Sequence, residues 1–220
     1  MPAAYAHNRF GSDCIETLPD ILKNSCLEYR DLFDFGVHGP DIFFYYDPLT
    51  SNEVNRFGSD MHHRSGRDFF EKCCKVYQNG SHKKAMMAYL LGFLAHFTLD
   101  SCCHGYINQM DAETDLSHNR IESQYEAHLM KLDGKNPLMV DRSESLKPSP
   151  YTAMVIASFF DFTPQQVLKS LKGQRTTMKL FYSPLEVKKK SLQTLIRTLK
   201  IDGSFDDLFL DADTLPACVE

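Results

Sequence analysis

Residues 83–104 carry apolar side chains on almost every side of the helix that their spacing predicts. A helix that is apolar all round usually lies at the centre of its domain. One polar stripe interrupts this helix, because His96, Asp100 and His104 follow one another at four-residue spacing and share one face. Burying such a stripe costs free energy unless something binds its polar atoms. The pattern therefore favours a metal ion beside a central helix.

The rest of the chain also repeats its apolar residues at helical spacing, and its signals for strands are poor. Residues 42–46 lie between Gly39-Pro40 and Pro48, so we interpret them as an ordered loop or a short helical turn. We predict an all-α single domain over residues 1–220, with about seven helices and an acidic tail at 203–220. The other predicted helices lie near 13–33 (with Pro19 as an alternative start), near 64–78, near 117–132, from Pro148-Ser149-Pro150 through Phe160, from Thr163-Pro164 toward Phe181, and from Ser183-Pro184 to about Lys200.

Composition limits the functions that the chain can have. Its 220 residues weigh 25.2 kDa; 43% are hydrophobic and 24% are charged, as in ordinary globular proteins. The formal net charge of −5 gives no general attraction to nucleic acid or anionic lipid. The longest apolar runs are shorter than the roughly 20 residues of a membrane span, so we expect no transmembrane segment. The N-terminal residues lack a secretory pattern, which makes the cytoplasm the expected compartment.

A second polar pair follows on the next predicted helix, where His118 and Glu122 again lie four residues apart. One such pair is weak evidence, because a lone buried histidine is more often part of the core. Five residues of these types on two successive helices favour a metal site. Imidazole and carboxylate ligands without thiolate suit zinc in a catalytic site.

The cysteines are less favoured as ligands. They are seven in number and form no C-x-x-C pair, so in a reducing compartment we interpret them as thiols that fill apolar space. Cys102 and Cys103 lie between Asp100 and His104 in the sequence. At two and three residues after Asp100, however, their side chains are expected to point away from the polar stripe.

Several stretches that contain these residues occur in a defined order along the chain: Pro2-Ala3-Ala4-Tyr5-Ala6-His7, His38-Gly39-Pro40-Asp41-Ile42, Gly58-Ser59-Asp60-Met61-His62, His96-Phe97-Thr98-Leu99-Asp100 through His104, and His118 to Glu122. Together they resemble the zinc-dependent phospholipase C family. That family shares its fold and metal site with the zinc-dependent single-strand nucleases and 3′-nucleotidases. The resemblance covers roughly the first 130 residues, and the remainder is similar only in being helical.

The resemblance implies a metal cluster in a cleft of a mostly helical domain, so we expect two to three Zn²⁺ ions. Asp41 would lie at the cluster as a ligand or as the general base, and His38, in the loop before it, would support the ligands. The implied ligands are His62, His96 and Asp100 for one zinc, with Asp100 bridging to a neighbour; His104, His118 and Glu122 for a second; and His7, Asp100 and the N-terminal amine and carbonyl for a third.

The chain departs from the family pattern at two points. The secreted enzymes begin with a tryptophan whose amine binds zinc, whereas this chain begins Met1-Pro2. Removal of Met1 would leave the amine of Pro2 free to bind, and retention of Met1 would put the third site in doubt. The spacing from Asp100 to His104 is also shorter than in the secreted enzymes. It keeps both residues on one helix face, so we expect His104 to remain a ligand.

The activity that the resemblance implies is hydrolysis of a phosphate ester by zinc-activated water, which Asp41 would orient or deprotonate. The expected substrate is a phospholipid head group or a nucleotide. The aromatic residues at 43–46 would line the substrate cleft or, as the simpler interpretation, pack in the core. Three alternatives stay open: hydrolysis of nucleotides or single-stranded nucleic acid, a metal-binding protein that kept the fold without turnover, and a helical domain with coincidental histidines.

Overall fold

The computed structural model describes residues 4–182, 186–198 and 209–210. Over these ranges the chain forms α-helices and 3-10 helices and no strand, which confirms the all-α prediction. The α-helices are α1 (Ala4–Thr17), α2 (Asp20–Glu28), α3 (Arg30–Gly36), α4 (Glu53–Met61), α5 (Gly66–Asn79), α6 (Lys83–Glu113), α7 (His118–Leu132), α8 (Pro150–Ala157), α9 (Pro164–Phe181) and α10 (Glu186–Thr198), and the 3-10 helices are Gly39–Tyr45 and Pro137–Met139.

The chain divides into two units by its internal contacts. The large unit comprises His7–Leu99 and Ser143–Thr177. The small unit comprises the described parts of 1–6, 100–142 and 178–220. Each unit carries its own set of candidate metal ligands, so each is considered separately. The prediction that residues 1–220 form a single domain stays a prediction.

Aromatic side chains dominate the core of the large unit. The ring of Phe43 meets those of Phe57 and Phe160 edge to face, with centroids 5.5 and 4.8 Å apart. Phe69 stacks on Phe160 at 5.5 Å and extends this packing to α5. The first 3-10 helix, to which Phe43 belongs, is therefore fixed by its hydrophobic side as well as by its backbone. Residues 42–46 were expected to form a loop or a short helical turn, and the 3-10 helix confirms the second form.

Two glycines let α3 and α6 cross within the large unit at backbone contact. A Cβ atom at Gly36 would collide with the carbonyl oxygen of Tyr89, and one at Gly92 would collide with that of Phe33. Only glycine allows so close an approach. Gly92 lies one helical turn before His96, and Gly36 lies just before the loop that leads to Asp41. The crossing therefore brings the two segments that carry these side chains to one place.

The prediction of one helix near 13–33 is wrong, because parts of three helices occupy this segment. α1 ends at Thr17, and α2 follows Pro19 as its N-cap, which agrees with the alternative start at that proline. Tyr29 then adopts φ −116° and ψ 48°, outside the helical region, and separates α2 from α3. Apolar spacing alone did not reveal these breaks, because all three helices keep a similar period.

The predicted helix starts agree with the structure better than the predicted helix ends do. Ser117 caps α7 by accepting a hydrogen bond from the amide of Arg120 at 3.2 Å, and Ser149 caps α8 through the amide of Thr152 at 3.0 Å. α8 ends at Ala157, three residues before the predicted Phe160. The predicted start at Ser183-Pro184 lies outside the described residues, as does the acidic tail apart from 209–210.

α6 is longer than predicted and runs to Glu113. One window of this helix has a mean hydropathy of 1.3, and 39% of that window is buried. Length and composition alone would let α6 cross a membrane, whereas the sequence analysis expected no transmembrane segment. Core helices of other proteins meet the same criterion, and the buried Tyr89, Phe93 and His96 give α6 protein contacts on one side.

Candidate metal centre

Three side chains from separate elements meet in the large unit. Asp41 lies on the first 3-10 helix, His62 is the C-cap of α4, and His96 lies on α6. Their ligand atoms all lie within 4.8 Å of one another, and His62 Nε2 is 3.0 Å from Asp41 Oδ1. We call these three residues the long-range cluster, because 55 positions separate Asp41 from His96. Asp41 and His96 are buried, whereas the His62 side chain is 27% exposed and forms the open side.

The ring of His62 is oriented by α4 and by a neighbouring aromatic side chain. Its Nδ1–H donates to the carbonyl oxygen of Gly58, one turn earlier, at 2.8 Å. The ring of Phe44 stacks on the imidazole with centroids 5.6 Å apart. Nε2 is thereby directed to Asp41. Histidines that bind metals usually hold their second ring nitrogen on a carbonyl or carboxylate in this way.

His96 is held by close packing around its ring. Gly39 adopts φ +50°, in the left-handed region, and a Cβ atom at this position would overlap the His96 imidazole. On another side His7 stacks on His96 with ring centroids 4.5 Å apart. His96 is 3% exposed, so the position of its ring is set by contacts that a larger or differently placed neighbour would change.

The electrostatics of this region favour an ionised Asp41 and a neutral His38. Burial acts to raise the pKa of Asp41, but the contact with His62 and the neighbouring His96 contribute to a pKa below its usual range. Burial, together with the neighbouring imidazoles of His7 and His96, lowers the pKa of His38 to about 3. A carboxylate beside imidazoles is a donor set that suits a divalent cation.

The small unit holds a second group, His104, His118 and Glu122, whose ligand atoms also lie within 4.8 Å of one another. His118 Nε2 and Glu122 Oε1 are 3.1 Å apart, and His104 Nε2 is 3.9 Å from the same oxygen. The Nδ1–H of His104 donates to the carbonyl oxygen of Asp100 at 3.0 Å. We call these three residues the local cluster, because they come from the consecutive helices α6 and α7.

In the local cluster, Glu122 and His118 each stabilise the charged form of the other. Burial acts to raise the pKa of Glu122, yet it lies at about 2, and the hydrogen bond and charge of His118 contribute to this lowering. The hydrogen bond to Glu122 in turn raises the pKa of His118. Glu122 is 4% exposed, so its carboxylate is buried only because partners surround it.

Within its two separate units, the structure brings together six of the eight predicted site residues, in two groups of three. His7 lies against His96 in the large unit. Asp100 lies one turn after His96 on α6, is half-buried, and places Oδ1 3.8 Å from His104 Nδ1. The N-terminal amine of the implied third site lies outside the described residues. The ligand roles themselves stay predictions.

Other contacts at the clusters were less visible in the sequence. Neither three-residue cluster contains a cysteine. Cys103 is half-buried, and burial, followed by the charges of Cys102, Asp100 and Glu122, raises the pKa of its thiol.

Gly39 and the stacking of Phe44 on His62 were missed as supports of the site. A glycine directly after His38 signals a left-handed position only when the conformation of the loop is known.

Comparison with protein families identifies the family of the chain. A family model described as zinc-dependent phospholipase C matches residues 6–174. The chain belongs to the zinc-dependent phospholipase C family. Comparisons with curated proteins and with solved structures gave no match. The match extends past residue 130, so the family covers α8 and most of α9 as well as the segments that carry both clusters.

Proposed function

We propose that this protein is a zinc-dependent phosphoric ester hydrolase of the phospholipase C type, with two to three zinc ions as cofactors. Membership of the family supports hydrolysis of a phosphate ester. The observation that carries the proposal is the pair of histidine–carboxylate clusters, each with its ligand atoms within 4.8 Å. Two independent groups of this composition are unusual in a helical core, where unpaired polar side chains cost free energy.

The donor set fits zinc in both clusters. Each contains two imidazoles and one carboxylate, which is the composition of many catalytic zinc sites. His62 and His104 each hold Nδ1 on a backbone carbonyl, and this contact leaves Nε2 facing the carboxylate. Zinc ions bound there would supply positive charge to the phosphoryl oxygens and lower the pKa of water. Asp41, His62 and His96 would hold one ion, and His104, His118 and Glu122 another.

The side chains of the protein would then divide the remaining work. Asp41 is buried and its pKa lies below the usual range, so it would be ionised and would orient or deprotonate the attacking water. His62 and His96 keep the position of that carboxylate by their contacts with it and with the surrounding rings. In the local cluster, Glu122 supplies the negative charge that offsets a bound cation. The roles of Asp100 as a bridging ligand and of His7 as a ligand of a third ion stay predictions.

Metal stoichiometry and a substrate panel test this proposal together. Protein purified without chelator is expected to contain at least two zinc ions per chain and to hydrolyse p-nitrophenylphosphocholine. Asp41→Asn keeps the shape of the side chain but removes the charge of a ligand, so it is expected to lose about one zinc ion and about 10²- to 10⁴-fold in rate. His82→Ala changes an exposed histidine directly before α6 and serves as the control. Zinc with no turnover on any ester would instead indicate a non-catalytic metal-binding protein.

The same panel separates substrate classes. Its other arms are a 3′-nucleotide and single-stranded DNA. The phospholipase C proposal expects the phosphocholine ester to give the highest kcat/KM. A higher kcat/KM with the nucleotide or the DNA would assign the site to nucleotide or nucleic-acid hydrolysis and would contradict the lipid assignment.

A further inference from the structure

His38 is a buried imidazole beside the long-range cluster that neither cluster includes. It is 2% exposed and is the N-cap of the first 3-10 helix. Its backbone is fixed at both ends, because its amide donates to Phe35 O at 3.2 Å and its carbonyl accepts from Asp41 N at 3.0 Å. The backbone position from which the buried ring projects is therefore well defined.

One ring nitrogen of His38 has no protein partner in the described part of the chain. Nε2 is buried and makes no hydrogen bond with any described residue. Leaving a buried polar atom without a partner costs free energy, so such atoms are rare in folded proteins. A partner from outside the protein removes that cost. A neutral imidazole carries one N–H and one lone pair, so Nε2 is able to donate a hydrogen bond to that partner.

The surroundings of His38 indicate the class of partner. Its charged and titratable neighbours in the described chain are His7, Asp41 and His96, the last two of which belong to the long-range cluster. His38 itself joins none of the groups whose atoms lie within 4.8 Å of one another, so the geometry does not favour it as a metal ligand. A donor that lies beside a metal site, yet outside the ligand set, suits an oxygen of a bound anion.

We propose that His38 Nε2–H donates a hydrogen bond to a phosphoryl oxygen of the ligand bound at the long-range cluster. This inference rests on the proposed function, since the ligand is the phosphate group of its substrate or product. It adds to that function a neutral hydrogen-bond donor, which favours an oxyanion over ligands that cannot accept a hydrogen bond. His38 is then a residue that contacts substrate rather than one that only supports the ligands, as the sequence analysis expected.

Binding of inorganic phosphate to the zinc-loaded protein tests the inference. His38→Leu is expected to keep its zinc stoichiometry and melting temperature and to bind phosphate about 10- to 100-fold more weakly in calorimetry, the loss typical of one hydrogen bond to a charged group. His38→Gln offers a side-chain N–H and is expected to recover most of the affinity. His82→Leu removes an exposed histidine and is the matched control.

Two results would overturn the inference. One is unchanged phosphate affinity in His38→Leu; the other is parallel loss of zinc, which would make His38 a ligand or a structural support. Should His38→Leu fail to fold, ¹⁵N-histidine spectra of the wild-type protein decide the question. Phosphate is expected to shift the His38 Nε2 resonance, assigned from its absence in His38→Gln, and an unshifted resonance contradicts the inference.

The outcome also separates this inference from the proposed function. Wild-type protein that binds phosphate through His38 but hydrolyses no ester would contradict the hydrolase and leave the phosphate contact intact. Wild-type protein that hydrolyses the panel while His38→Leu matches it in phosphate affinity and kcat/KM would leave the hydrolase intact and remove the contact.

Discussion

The long-range and local clusters contain the same types of side chain but are assembled in different ways. Asp41, His62 and His96 come from three elements that are distant in the sequence and meet only through the packing of the large unit. The local cluster needs only α6, α7 and the short connection between them. The first should therefore depend on the integrity of a whole core, whereas the second should depend on two helices.

The two clusters also differ in burial, and the long-range cluster is the more buried of the two. Asp41 and His96 are 7% and 3% exposed, and tightly packed rings surround them. In the local cluster only Glu122 is buried to that extent, while the side chains of His104 and His118 are 34% and 33% exposed. A water-poor site strengthens electrostatic interactions and favours catalysis. We infer that the long-range cluster carries the chemistry and that the local cluster contributes binding.

Replacement of a ligand in the long-range cluster should give the largest effect. His96→Ala removes a buried imidazole from a close-packed site and is expected to abolish both zinc binding there and ester hydrolysis. Metal analysis and initial rates on p-nitrophenylphosphocholine check this outcome, with circular dichroism to verify folding. Full activity in a folded His96→Ala protein would show that the long-range cluster is not the reaction centre.

A change in the local cluster should have a smaller effect. Glu122→Gln keeps the size of the side chain and removes the negative charge that offsets a cation. We expect the purified protein to contain about one zinc ion fewer, and hydrolysis to fall by about 10- to 100-fold. The ratio of the residual activities of Glu122→Gln and His96→Ala directly measures the difference in importance between the two clusters. Equal losses of activity in Glu122→Gln and His96→Ala would contradict the division of roles.

The packing around His96 is tested by a pair of glycine variants. Gly39→Ala places a Cβ at φ +50° and against the His96 ring, whereas Gly134→Ala places one at φ +70° in open space. The backbone conformation should cost both variants about 1–2 kcal/mol of stability. Gly39→Ala should lose about 1–3 kcal/mol more through the collision and also lose zinc. Chemical denaturation and metal content of both variants provide the measurement, and equal values in the two would remove Gly39 from the site.

The support of His62 by an aromatic ring should have a moderate effect. Phe44→Leu removes the ring that stacks on His62 and is expected to weaken zinc binding by about tenfold, because the imidazole gains freedom to rotate. Phe44→Tyr keeps the ring and is the matched control. Competition with a chromophoric chelator measures the affinities. Identical affinities in both variants would show that the Gly58 carbonyl alone orients His62.

The smallest effect concerns pH in the metal-free protein. The pKa of Glu122 is lowered from 4.5 to about 2, so its contribution to stability is present above pH 4.5 and is lost as pH falls toward 2. The pKa of His118 is raised above 6.5, so its contribution is present below pH 6.5 and is lost as pH rises through the raised value. We expect the stability difference between wild type and His118→Ala to be largest between about pH 4.5 and 6.5. A difference that grows above pH 7 would contradict the pairing.

The contrast between the clusters also explains what the sequence was able to predict. His96, Asp100, His104, His118 and Glu122 were found by helical spacing, because four-residue intervals specify a shared face without knowledge of the tertiary fold. Asp41 and His62 were found only through the family resemblance. No local pattern states that the end of α4 meets the first 3-10 helix, since that contact depends on long-range packing.

Prediction of the fold from the sequence has the same limit. The all-α class follows from apolar periodicity, and the starts of α7, α8 and α9 follow from their capping residues. The division of the predicted 13–33 helix did not follow, because the change of backbone at Tyr29 has no glycine or proline to mark it. α4 was missed because it is short and depends on Asn52, whose side chain accepts hydrogen bonds from the amides of Val54 and Asn55.

The crossing of α3 and α6 has a consequence for how this protein tolerates mutation. The atoms nearest to a Cβ at Gly36 or Gly92 are backbone atoms of the neighbouring segment, yet each glycine sets how near the His96 helix comes to the loop of Asp41. Alanine at either position would push the two backbones apart and widen the gap that an ion must bridge. Genetic variation there should thus appear first as a shortage of captured metal, with the helices themselves still formed.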